Sequence, residues 1–260
     1  MLHAGIDENQ LVSLGIEGEI LVFDMFRLLL ENALAYDADV SCCRYAEVYD
    51  DGRRQPIGND HTTVVYDQHE ALRQYLIGTI VDPFVCNKIY KACYTRKYSV
   101  GENHRFTKGI FGEDIPFNLY IFKQVHTVVT TGEALYNYRQ QRKGAITVSS
   151  VSQKRIDSTF RWETIRQDIH ESFPDLEIYA LRRQALYYIG LYNRIIMEDA
   201  PFPQILEDIN AFVSAHSREI IHSSVSEKRL KIATWLLAKC PFVYNFTMKA
   251  YKNILGTTRL

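Results

Sequence analysis

Apolar residues in this chain fall into two rhythms. Ile20-Leu21-Val22-Phe23 is a short unbroken apolar run of the kind a buried strand makes. From Met25 the spacing becomes helical through Phe26, Leu29, Leu30 and Leu34. Asp37 to Cys43 then reads as a turn and a strand, Asp50-Asp51-Gly52 as a turn, and Thr62 to Tyr66 as a β-branched strand. Asp67 followed by Glu70 forms a capping box for a helix running to about Gly78. Val81 to Lys91 begins as a loop and becomes a short helix, and Pro116 to Gln124 is a second helix with Phe117, Tyr120 and Ile121 on one face. Val125 to Thr130 and Ala134 to Arg139 read as two strands.

From about Ile156 the pattern is helical to the end. Helices are predicted around Phe160 to Ile169, Leu176 to Ile195, Pro203 to Ala215 and Ser226 to Leu237, punctuated by Pro174, Pro201, Pro203 and Pro241. A final stretch, Phe242 to Ile254, mixes aromatics with Lys249 and Lys252, so it either packs on the preceding helices or lies on a membrane surface. The predicted class is α/β: a mixed region over residues 1–150 and an all-α tail over 151–260.

Composition narrows the classes. With 47% hydrophobic and 23% charged residues the chain is globular rather than disordered. A formal net charge of -1 gives no general argument for nucleic acid, and no nucleic-acid partner is expected. The five cysteines form no CxxC pair, which suggests buried thiols in a reducing, cytoplasmic setting. No leader peptide or membrane-length apolar run is read from the sequence. The eight histidines show no HxH or HExxH spacing, and Walker, GxGxxG and GxSxG motifs are absent.

Candidate chemistry concentrates at Gly112-Glu113-Asp114-Ile115-Pro116-Phe117. Proline is tolerated in a first helical turn, where amides have no intrahelical partner. An aspartate at that junction can cap free amides and is kept ionised by the helix dipole, as a general base requires. The two acids can equally do no more than start a helix. Arg139, Arg142 and Lys143 precede Gly144-Ala145-Ile146-Thr147, a basic cluster that either holds a phosphate or is a solvated loop.

The order Asp82-Pro83-Phe84-Val85-Cys86-Asn87-Lys88-Ile89-Tyr90-Lys91, Phe106, Gly112 to Phe117, Leu135-Tyr136-Asn137-Tyr138-Arg139 and Gly144 to Thr147 resembles the second half of bacterial family 2 glycosyltransferases. Their usual pattern is a Trp-Asn-Lys-Leu-Tyr helix, an aromatic before a Gly-rich loop, a Glu-Asp pair opening a helix, a Tyr-Tyr-Arg strand and a Gly-Ser-Ile-Thr loop. Cys86 stands where the family has Trp, and Ala145 where it has Ser. The stretch Met25 to Tyr45 is similar to the family's helix and strand at this point, so the resemblance covers roughly residues 18–150.

The resemblance implies a GT-A fold and an inverting transferase that moves a sugar from a nucleotide diphosphate to an acceptor hydroxyl in cell-surface polysaccharide synthesis. It makes Asp114 the general base, with Glu113 orienting the acceptor or supporting the base. Arg139 and Arg142 would neutralise the departing diphosphate, and Tyr138 would sit in the substrate-binding wall. The implied partners are a nucleotide-sugar donor and a saccharide or lipid-linked acceptor, in the cytoplasm or peripherally at the inner face of the cell membrane. Self-association and association with another chain both stay open.

The family also uses a divalent cation, Mn or Mg, held by an Asp-x-Asp motif within a nucleotide-binding half. Gly18 to Asp24 resembles the strand leading into that motif, yet Asp24 runs straight into Met25-Phe26. Asp24 equally matches the aspartate of a later Pro-Asp-Met-Phe segment. The metal-binding carboxylates are therefore missing as a set, and a truncated or degenerate transferase without turnover of its own is expected. The alternative is a non-catalytic helical protein that partners a full-length transferase or a membrane assembly.

Overall fold

The structure, a computed structural model, describes residues 20–21, 24–58, 61–94, 111–140 and 150–255. These fall into two compact units. The first holds the described residues of Met1–Thr107 and Asp114–Val148, the second those of Lys108–Glu113 and Ser149–Leu260.

The first unit is built on two long strands, β2 (Val40–Val48) and β6 (Thr127–Arg139), paired in parallel with Val40 opposite Val128 and Val48 opposite Arg139. Val40 to Cys43 and Val128 to Thr131 are buried without alternation, as expected when both faces of a parallel pair are covered. The register shifts around Arg44, and each strand changes its outer partner along its length. The first half of β6 pairs with β4 (Thr63–Asp67), and its second half pairs with β1 (Ile20–Leu21). The first half of β2 pairs with β5 (Lys88–Tyr90), and its second half with β3 (Arg54–Ile57). The irregularity lets the sheet curl, because a bulge bends its strand and raises the local twist.

The structure departs from the sequence pattern at two places. Lys88 to Tyr90 form a strand rather than a helix, because Ile89 and Tyr90 pair antiparallel with Ser41 and Val40. Val125 to Thr130 and Ala134 to Arg139 are not separate strands: pairing runs on through Gly132, whose N–H donates to Thr62 O at 2.6 Å.

Helices flank the sheet. α1 (Met25–Ala35) buries Met25 and Leu29 against Cys43, Leu135 and Tyr136. α2 (Gln68–Ile77) starts at the predicted cap, where the Asp67 carboxylate accepts from Glu70 N–H at 2.8 Å. It ends at Gly78, whose φ of 72° is the left-handed conformation a helix stop favours. α3 (Asp114–Phe122) begins two residues earlier than its spacing suggested.

The second unit is helical. α4 (Gln153–Ser172), α5 (Glu177–Glu198), α6 (Pro203–His222), α7 (Lys228–Lys239) and α8 (Pro241–Leu255) follow one another. Between α4 and α5 lies a short 3-10 turn, Pro174–Leu176. α5 is central and buries Leu181, Tyr188, Tyr192 and Ile195, with Trp162 and Ile165 of α4 and Val213 of α6 in the same core. Tyr188 bridges the layers, its ring 4.8 Å from Phe160 and 4.6 Å from Phe212. α5 stops at Asp199, left-handed at φ 50°, and Pro201 and Pro203 follow. Among the described residues no helix is long and apolar enough to cross a membrane.

Candidate functional site

The predicted base, Asp114, is the first residue of α3. α3 leads through a short turn into β6, and Asp114 at its start meets the loop that precedes β5. The loop 82–87 carries Val85, whose N–H reaches Asp114 Oδ2 at 3.4 Å, a long hydrogen bond.

Both ends of α3 are gripped by α2. The Tyr75 hydroxyl donates to Ile115 O at 2.9 Å and Gln68 Nε2 to Lys123 O at 2.6 Å, while the rings of Tyr75 and Phe122 stack at 5.3 Å. On the neighbouring face, Asn118 is fully buried, donates to Pro83 O at 2.6 Å and accepts from the Tyr90 hydroxyl at 2.7 Å. Burial first, and then the nearby Cys42 and Asp114, push Tyr90 well above an ordinary phenol, so its proton stays in that bond.

The loop beside Asp114 is fixed by a buried charged cluster. Lys88 Nζ donates to Asp82 Oδ1 at 2.9 Å, Asn87 Oδ1 at 2.8 Å and Phe84 O at 2.6 Å. Asn87 Nδ2 donates to Asp82 Oδ2 at 2.9 Å and to Cys43 O of β2 at 2.6 Å. The side chains of Lys88 and Asp82 are 0% and 8% exposed. Burial alone would push the ammonium down, but Asp82 outweighs it and holds Lys88 above its ordinary value. In the sequence these residues belong to a motif that does not itself disclose this role. A lysine inside an otherwise apolar strand, six residues after an aspartate, is the signal that was there to find.

Phe84 carries the loop to Tyr138. The two rings stack at 5.5 Å, and Tyr45 closes the group edge-on at 5.3 Å from Phe84. Tyr138 and Asp114 thus meet neighbouring residues, Phe84 and Val85, of one short loop. Cys86, in the place of the family's Trp, packs into the core formed by Met25, Leu29 and Tyr136.

Other predicted residues are placed elsewhere. Arg139 Nε and Nη2 both donate to Asp50 Oδ1, at 3.1 and 2.9 Å, in an exposed pair at the β2–β3 turn. Glu113 groups with the helical unit, where Arg161 feels its charge after that of Asp157. Arg142 lies outside the described residues, as do Lys143, Gly144 to Thr147 and Phe106. Asp24 opens α1 and pairs with Arg27 at 3.1 Å. Among the described residues, no three His, Cys, Asp or Glu side chains converge to hold a metal ion.

All five cysteines are free thiols. Cys42 and Cys43 are buried and Cys93 is exposed. Desolvation pushes Cys42 up to about 12, which makes it inert as a nucleophile.

No protein-family model and no curated protein matches this chain. Among solved structures it is similar to residues 1–349 of S. aureus TarS in complex with UDP-GlcNAc, with a TM-score of 0.56 at 14% identity. The fold is glycosyltransferase-like. The match covers 90% of this chain and 65% of the TarS chain, so this chain spans less than two thirds of its neighbour's length. At that identity the likeness speaks for the fold alone, and it agrees with a partial GT-A-like α/β region followed by helices.

Proposed function

We propose that this chain carries the acceptor side of a nucleotide-sugar-dependent glycosyltransferase, with Asp114 as general base. The observation that carries the reading is Asp114 at the start of α3, held beside the loop 82–87 in a fold shared with a structure containing UDP-GlcNAc. In the step proposed, the Asp114 carboxylate takes the proton of an acceptor hydroxyl as that oxygen bonds to the anomeric carbon. The bond from that carbon to the diphosphate oxygen breaks, and the nucleoside diphosphate leaves with the electron pair. Tyr138 lines the wall; the sequence resemblance further assigns orientation of the acceptor to Glu113 and charge for the departing diphosphate to Arg142 and to Arg139, which in the free chain pairs with Asp50. The family's cation finds no three-ligand cluster among the described residues, and the step assigned to this chain does not run through one. A cell-surface polysaccharide is the acceptor class the sequence resemblance favours.

The test is calorimetric titration of the whole chain with UDP-GlcNAc, with and without Mn²⁺, followed by an assay for released UDP. Because the base acts on the acceptor, Asp114→Asn leaves donor affinity unchanged and lowers UDP release by about 10²–10⁴. A chain that binds no UDP-GlcNAc and releases no UDP rejects the enzyme reading.

A second reading, a non-catalytic interaction protein, is favoured by the last two helices. They expose Ile232, Trp235, Phe242 and Phe246, with Phe242 82% exposed. Large exposed aromatics set among lysines suit a partner chain or a membrane interface. Stand-alone turnover is the point on which the two readings part.

A further inference from the structure

A cavity of about 490 Å³ opens in the helical unit between α4 and α5, a size typical of small-molecule sites. Positive charge converges on it. Arg155 comes from α4, Arg183 and Arg194 come from α5, and no carboxylate of the described residues lines the cavity. The nearby Glu198 is engaged through both oxygens: one accepts from Arg194 Nε at 2.6 Å and the other from Val151 N–H at 2.7 Å.

Two of the three guanidinium groups are held against aromatic faces. Arg183 lies 5.7 Å from the centre of the Tyr187 ring, which in turn stacks at 5.0 Å on the buried indole of Trp162. Arg155 lies 5.4 Å from the Phe111 ring. A cation positioned in this way loses less freedom when it takes up a ligand. Burial first, and then the charge of Arg194, weaken the protonated state of Arg155, the sign of like charges drawn together.

Gly190 adds an independent observation. It sits inside α5, where glycine weakens a helix, yet a Cβ there would meet nothing within 4 Å. Helix packing therefore does not demand glycine at this position, and its missing side chain leaves the cavity wall open.

We propose that this cavity binds a phosphate-bearing small molecule of about the size of a sugar phosphate. Guanidinium forks match phosphate oxygens bidentately, and three of them around one cavity favour a phosphate over a single carboxylate. The inference concerns the helical unit alone and does not rest on the transferase reading, because it is read out by binding without turnover.

The experiment is calorimetric titration of the whole chain with glucose 1-phosphate and with inorganic pyrophosphate, using glucose and citrate as controls. Glucose 1-phosphate or pyrophosphate binds, with affinity falling as salt rises, and glucose does not. Arg183→Gln and Arg155→Gln each weaken binding by about tenfold or more. Gly190→Leu keeps every charge, improves the helix and fills the opening, so it weakens binding by a similar factor with no loss of urea midpoint. That variant keeps the test decisive if an arginine variant fails to fold. Silence from both phosphates overturns the proposal, as does citrate binding as tightly as they do. Undiminished binding by Gly190→Leu, or by a folded arginine variant, also overturns it.

Discussion

In the α/β unit the buried charges Asp39, Asp82 and Lys88 are bonded to loop and strand-end backbone, whereas Arg182, the buried charge of the helical unit, reaches outward to the half-exposed Glu227. Helices satisfy their own amides and carbonyls, so a helical unit can bury apolar side chains and leave ions at its rim. The curled sheet is different. Its outer strands are short, its crossovers are irregular, and each loop beside a strand end brings backbone groups that the ladder does not use. Asp82 and Lys88 answer that need in the loop 82–87, and Asp39 does so where β2 and β6 begin. The contrast teaches where geometry is being specified: the region that fixes Asp114 is also the region that spends buried charge on holding a loop.

The largest consequence falls on Lys88. Lys88→Met removes the cation and leaves the Asp82 carboxylate buried with Asn87 and the Phe84 amide as its remaining partners. Breaking a buried pair from one side typically costs about 3–5 kcal/mol. A urea titration should show that loss, and Asp82→Asn combined with Lys88→Met should cost less than the two single changes added together. A loss within about 0.5 kcal/mol, as for an ordinary surface change, would erase the contrast between the units.

Asp39 comes next. Its Oδ2 accepts from His126 N–H at 2.7 Å, Thr127 N–H at 3.3 Å and the Tyr94 hydroxyl at 3.2 Å, and Oδ1 meets Lys91 at 2.9 Å. Burial pushes the carboxyl up, but the bonds from His126, Lys91 and Thr127 outweigh it and hold the group below its ordinary value. A carboxyl depressed in the folded state stabilises fully above its unfolded pKa of about 3.9 and loses that contribution as pH falls through the lower folded value. Asp39→Ala should cost about 2–3 kcal/mol near neutrality, because it strands buried donors. Between about pH 5 and pH 3 the wild-type urea midpoint should fall more steeply than that of the variant. Parallel curves would remove Asp39 from the acid response.

What could be read from the sequence follows the range of the interaction. The Asp67–Glu70 cap, the Gly78 stop and the helices from α4 to α8 depend on residues within a turn of one another, so their signals are local. β5 depends on pairing with Val40 to Cys42, more than forty residues away, and an isolated Asn-Lys-Ile-Tyr run looks as helical as extended. Gly132 reads as a break because the pairing that carries β6 through it comes from β2 and β4. The place of Asp114 at a helix start was legible from Gly112 and Pro116. Its link to Tyr138 was not, because it passes through Val85 and Phe84, which belong to a third stretch of chain. Lys88 had one local mark, the aspartate six residues before it, but its burial depends on the pairing of β5 with β2.

The smallest effect separates the two kinds of buried ion most sharply. Arg182 is 4% exposed and Glu227 is 51% exposed. Glu227 feels burial first, which pushes it up, and then the Arg182 bond, which leaves it below its ordinary value. Arg182→Met puts an unbranched apolar side chain into the buried space and leaves Glu227 in water, with no buried carboxylate uncompensated. The expected loss is therefore only about 1 kcal/mol, near the level of a surface pair. A double-mutant cycle with Glu227→Gln should give a coupling of about 0.5–1 kcal/mol. A loss matching that of Lys88→Met would mean that exposure of one partner does not soften the break. The division drawn between the sheet and the helices would then fail at its own test case.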